Sequence, residues 1–180
     1  MKAQPRQYQH RWLLPLVIAI NFFLDGSLSL VFSNFFYDNN LQMAPQLILL
    51  SVVMCTFAFP ESKMLFWYAL LAGLAYDLFY TGLIGQYMLI VPLTYLMTKA
   101  LMNYFLPSVI YELGADIICV LVAQMILYFL AHFFGMTQAG VGQFISNALA
   151  PTIILNVILF LIFYWPNKWA LHFIHRNHGR

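Results

Sequence analysis

The chain has 180 residues, of which 63% are hydrophobic, 18% aromatic and 8% charged, with a formal net charge of +2. A soluble domain carries about 25% charged residues, so this composition excludes a water-facing globular surface and predicts an all-α integral membrane protein. The slight positive excess is a topology signal, not a footprint for nucleic acid.

The first apolar run covers about residues 12–34. It opens behind Arg11 and Trp12, a cation and an aromatic suited to the interface, and closes at the Asn34–Asn40 turn cluster with Asp38. Its length and the internal Asp25 argue against a cleavable signal peptide. The second run, 45–59, starts at Pro45, a favourable first helical position, and stops before Pro60. It is shorter than the ~20 residues a span needs, so it must thin the bilayer, borrow flanking residues or sit against protein. Glu61-Ser62-Lys63 makes a tight loop to the third run, 64–80, which returns through Thr81-Gly82-Leu83-Ile84-Gly85. The fourth run, 86–103, carries Pro92, where a kink is expected. The fifth, 109–134, opens after Pro107 and holds Glu112, Gly114 and Asp116. An uncharged connection, Gly135–Ser146, leads to the sixth, 147–165, with Pro151 and Asn156 inside it and Tyr164-Trp165 at its end.

Every cation falls on one side once these runs are counted as spans. Lys2, Arg6 and Arg11 precede the first, Lys63 joins the second and third, and Lys99 ends the fourth. Lys168, Arg176 and Arg180 follow the sixth. Basic loops stay in the cytoplasm, so the expected topology is six transmembrane helices with both termini cytoplasmic. Six spans and short loops use up the chain, so residues 1–180 form a single polytopic domain. Cys55 and Cys119 lie inside spans and read as small buried apolar residues.

Acids inside spans are costly and face protein or a water-filled cavity. Asp25, Asp77, Glu112 and Asp116 are the candidates. Glu112 and Asp116 lie near the basic side, within reach of Lys99 or Lys63 depending on packing. Asp25 and Asp77 have no Lys or Arg at their depth, and three solutions are open. They are protonated, or they are held by hydroxyls and amides such as Asn21, Ser27, Tyr76 or Thr81, or a partner supplies the donor. A cap on the Thr81–Gly85 turn is a further role for Asp77. Ala69, Gly73 and Asp77 recur at four-residue spacing and share one helix face. Small residues let helices approach closely in lipid, and Gly82 and Gly85 suit the sharp return. That face packs against another helix, internal or from a partner.

The run Gly73-Leu74-Ala75-Tyr76-Asp77-Leu78-Phe79-Tyr80-Thr81-Gly82-Leu83-Ile84-Gly85, the apolar span after it and the overall size resemble the rod-shape-determining MreD family. The resemblance implies a multi-pass protein of the bacterial plasma membrane with no catalytic residues. It also implies a role as scaffold or regulator of cell elongation and lateral peptidoglycan synthesis. The implied partners are an MreC-like bitopic protein, the MreB-type cytoskeleton and the elongation peptidoglycan synthases, in a hetero-oligomer embedded in lipid. The implied fold is similar to the substrate-binding S-component of energy-coupling-factor transporters. Asp25 and Asp116 are not motif positions.

Two other classes stand beside the scaffold. A small-molecule-binding subunit of a transporter is suggested by the broken helices at Pro92 and Pro151 and by Asn21, Gln124 and Asn156 within the bilayer. An intramembrane enzyme would need Asp25 and Asp77 to meet as a pair. No HExxH, Walker A, GxSxG or CxxC pattern occurs. His172, His175 and His178 lack the spacing of a closed zinc site, and no cofactor or metal is expected.

Overall fold

The computed structural model describes residues 14–36, 41–104 and 108–176, with side chains through residue 172. The helices in chain order are α1 (Leu14–Val31), α2 (Ser33–Phe36), α3 (Leu47–Ala58) and α4 (Met64–Tyr76). A π-helical turn, Asp77–Thr81, extends α4, and α5 (Gln86–Leu101) and α6 (Val109–Phe133) follow. The short α7 (Val141–Phe144) runs through a second π-helical turn, Ile145–Leu149, into α8 (Ala150–Arg176). No strand occurs among the described residues. Lys2, Arg6, Arg11, Trp12, Asp38, Pro107, His178 and Arg180 lie outside them, as do the side chains of His175 and Arg176.

A helix that is apolar on every side either crosses lipid or is enclosed by protein. α3 is such a helix: all its residues from Leu47 to Phe57 are buried. It forms the axis of the bundle, with α1, α4, α5, α6 and α8 packed around it. Its 12 residues reach only about 18 Å. The shortfall is met by the irregular segment 41–46, and α8 satisfies the backbone of that segment. Thr152 and Asn156 stand four residues apart on one face of α8. The Ala44 N–H donates to Thr152 Oγ1 at 3.2 Å and the Gln46 N–H to Asn156 Oδ1 at 2.8 Å. Asn156 Nδ2 donates in return to the Ala44 carbonyl at 2.9 Å. The Gln42 N–H donates to the Asn147 carbonyl at 2.8 Å. Irregular backbone is tolerated at membrane depth only when protein takes up its polar groups in this way.

Four stretches among the described residues are long and apolar enough to cross a bilayer: Leu14–Val31, Met64–Thr81, Val109–Phe133 and Val141–His172. The remaining two expected spans correspond to α3 and to α5, which has 16 residues. Three boundaries differ from expectation, one of them because helix already begins at Val141, inside the connection expected at 135–146. The first helix stops at Val31, and α2 forms a separate turn. The last helix runs through Pro166 to Arg176 instead of ending at residue 165. Asn167 supports the chain there: its Nδ2 donates to the Phe163 carbonyl at 3.0 Å, and its amide pairs with Asn21 of α1 at 2.7 and 3.2 Å.

The described lysines gather at one end. Lys63 precedes α4 and Lys99 closes α5. Lys168 of α8 bonds the Tyr164 hydroxyl and stands 3.7 Å from Glu112 Oε1 in the first turn of α6. The expected partner of Glu112 was Lys99 or Lys63. Lys99 instead bonds Tyr95 one turn back at 3.3 Å. Val53 and Phe57 near the end of α3 pack with Ala115 and Cys119 near the start of α6. The N-termini of α3 and α5 therefore lie at the opposite end, which holds none of the described lysines.

Candidate functional site

At that opposite end the buried α3 and the half-buried α5 begin with no side-chain cap of their own. The first N–H groups of a helix have no partner within it, and inside a bilayer nothing else will bond them. A carboxylate from a different part of the chain serves each start.

Asp77 stands where α4 passes into its π-helical turn and is fully buried. The turn continues through Gly82 and Gly85, whose φ angles of +69° and +112° lie in the left-handed region. This backbone swings the start of α5 beneath the carboxylate. Oδ2 accepts the N–H of Gly85 at 2.7 Å and of Met88 at 3.0 Å, and Oδ1 accepts the N–H of Tyr87 at 2.8 Å. Thr81 Oγ1 adds a contact to Oδ1 at 3.3 Å. A negative group at a helix N-terminus is also favoured by the helix dipole. Because residue 85 needs a positive φ, Gly85→Val is expected to cost about 1–3 kcal/mol. A denaturant titration in mixed micelles checks this, and space is not the limit, since nothing lies within 4 Å of the Cβ position.

Asp25 of α1 is equally buried and serves α3. The Leu47 N–H donates to its Oδ1 at 3.2 Å and the Ile48 N–H lies 3.5 Å from Oδ2. The Tyr76 side chain lies beside this carboxylate. Tyr76 then links the two caps. Its ring stacks on Tyr87 with centroids 4.1 Å apart. Consecutive residues at the junction of α4 and its π-helical turn thus stand at both helix starts, Tyr76 beside Asp25 and Asp77 directly on α5.

The small residues decide how closely the helices stand. Ala69 and Gly73 are buried on the α4 face that meets α5. A Cβ on Gly73 would run into the Tyr87 carbonyl and lie 2.9 Å from the Met88 Cα. The Ala69–Gly73–Asp77 face is therefore filled from within the chain by α5. Gly26 has the same role between α1 and α4, since a Cβ there would overlap the Tyr80 ring. Tyr80 in turn donates to the Phe22 carbonyl at 3.3 Å.

Asp116 belongs to neither cap. It is buried on α6 beside Cys119, and its Oδ1 has no hydrogen-bond partner among the described residues. Asn21, considered as a donor to the acids, is engaged with Asn167 and the Val17 carbonyl. Gly26, Tyr87, Thr152 and Asn167 were not singled out in the sequence. For Thr152 a signal existed in its four-residue spacing from Asn156. The others are recognisable only once the helices are placed.

Chemically this constellation is a clamp. Each carboxylate faces backbone donors at its own helix start, so the two do not form a shared acid–base pair. Among the described residues no group of three His, Cys, Asp or Glu side chains is placed to hold a metal. No curated protein and no solved structure gives a match. A family model described as rod shape-determining protein MreD matches residues 10–172 of the 180. The chain thus belongs to the MreD family, bacterial membrane proteins of rod-shape determination that are not known as enzymes.

Proposed function

We propose that this chain is a non-enzymatic membrane scaffold of the cell-elongation machinery. It joins an MreC-like bitopic protein to the MreB-type cytoskeleton and the elongation peptidoglycan synthases, and so directs lateral wall synthesis. The observation that carries this reading is the self-sufficiency of the interior. α3 is enclosed by the chain's own helices, and both Asp25 and Asp77 are bonded by its own amides. A partner is not needed to satisfy these acids. Recognition then belongs to the outward faces of the bundle, which carry large apolar side chains such as Phe23 and Leu30 on α1 and Trp67, Leu71 and Phe79 on α4 and its extension. Van der Waals packing drives helix association in lipid, and these faces suit the single helix of a bitopic protein.

In this reading the chain is one domain, 1–180, that crosses the membrane six times with both termini in the cytoplasm. Lys63, Lys99 and Lys168 at one end support that orientation. α3 and α5 count as crossings because short helices surrounded by protein do not have to match the lipid thickness alone. The likeness to the transporter S-components stays a fold-level analogy that carries no function, and the helices expected to break at Pro92 and Pro151 run on through both prolines. Ala69, Gly73, Asp77, Gly82 and Gly85 set the shape of the α4–α5 hairpin, and Asp25 ties it to α1 and α3.

Affinity purification in mild detergent tests the scaffold reading. The expected companion is a near-stoichiometric bitopic protein with a coiled-coil and β-rich external domain. Stoichiometric ATPase subunits in its place would overturn the reading.

A further inference from the structure

At the end that holds none of the described lysines a cleft of about 580 Å³ opens between α6, α7 with its π-helical continuation, and the irregular segment 42–44. Its polar lining comes from Gln42, Gln124, Tyr128, Thr137, Gln143 and Asn147, and among the described residues none that lines it is charged. Gln124 is the informative one. It is only 7% exposed, it lines the cleft, and its amide bonds no described residue. The amide is not sealed off: it reaches the open space of the cleft, where its donors and acceptor are available to a ligand. The wall around it is stiff. The Tyr128 ring stacks on Phe144 at 4.2 Å, and its hydroxyl donates to the Ala139 carbonyl at 2.8 Å.

Three properties narrow the occupant. A charged ligand would find no opposite charge among the described lining residues, which is unfavourable. The volume falls in the range of small-molecule sites, roughly 300–1,000 Å³, and is too small for a transmembrane helix. An extended peptide would need a free backbone edge, but the segment beside the cleft is already engaged. The N–H groups of Gln42, Met43 and Ala44 donate within the chain, and the carbonyls of Gln42 and Ala44 accept. What remains is a neutral group with several donors and acceptors of its own. A carboxamide offers both kinds and matches the paired hydroxyls or acetamido groups of a sugar ring.

We propose that this cleft binds a neutral saccharide through the amides of Gln42, Gln124 and Gln143, either free or as the headgroup of a glycolipid. The proposal does not depend on which proteins the scaffold joins. The test uses the full chain, purified in a detergent without a sugar headgroup and reconstituted in phosphatidylcholine nanodiscs. One arm titrates N,N′-diacetylchitobiose by calorimetry. The other adds monoglucosyl diacylglycerol to the nanodiscs and reads retention by native mass spectrometry. Saturable one-to-one binding of either probe is expected, weakened about tenfold by Gln124→Leu through loss of a hydrogen-bonded amide. Gln143→Ala, at an exposed position, serves as the second variant should Gln124→Leu not fold. Binding of the free disaccharide assigns an aqueous source, and binding of the glycolipid alone assigns a headgroup. The proposal is overturned if neither probe binds, if neither variant changes the binding, or if phosphatidylglycerol or a protein segment cross-linked at Gln143→Cys holds the cleft instead.

Discussion

Asp77→Leu is expected to destabilise the bundle by on the order of 3–5 kcal/mol, because three backbone donors, one buried and two partly buried, lose their acceptor together. The donors are Gly85, Tyr87 and Met88, and all belong to the start of α5. Water cannot replace the carboxylate at a fully buried position inside the membrane. Asp77→Asn keeps one acceptor oxygen and should fall between the two. The measurement is a denaturant titration of the purified variants in mixed micelles. Cells that carry Asp77→Leu as the only copy should lose rod shape because folded protein becomes scarce. A different result would change the role of this residue. If Asp77→Leu unfolds like the wild type yet no longer recovers its bitopic companion, Asp77 is a contact residue and the cap is incidental.

The clamp was half legible in the sequence, and the division has a physical cause. Gly73 and Asp77 announce themselves because four-residue spacing puts both on one helix face, and Gly82 and Gly85 mark the return that follows. An acid at this depth without a nearby cation must be satisfied by something. The donors that satisfy it are backbone N–H groups, which every residue but proline carries, so no residue type advertises them. For the same reason nothing in the chain links Asp25 to the start of α3, 22 residues away. The pairing of Asn21 with Asn167 spans 146 positions and needs α1 and α8 to be neighbours. The second run looked too short for the lipid, and enclosure by protein was one of the explanations open to it. The buried circumference of α3 and the bonds from Thr152 and Asn156 supply the reason. Ala69, Gly73 and Asp77 were read as a packing face whose occupant was open between the chain itself and a partner. In the structure α5 occupies it.

That occupancy makes Gly73→Val the second large effect. The added Cβ meets the backbone of Tyr87 and Met88, and backbone cannot rotate aside as a flexible side chain can. Overpacking a core against side chains costs about 1–3 kcal/mol. Here relief requires α5 to move as a body, so Gly73→Val is expected at or above the top of that range, with Gly73→Ala inside it. Moving α5 away from α4 also draws the Tyr87 and Met88 N–H groups from Asp77, one turn along the same face. The two positions therefore share one set of bonds. Residues that share partners show coupling of about 0.5–3 kcal/mol, and the double variant Gly73→Ala with Asp77→Asn should lose less than the sum of the single losses. A double-mutant cycle on the same titration reads this directly. Strict additivity would mean that the glycine sets helix spacing and the carboxylate caps α5 independently, and the clamp would be two separate devices.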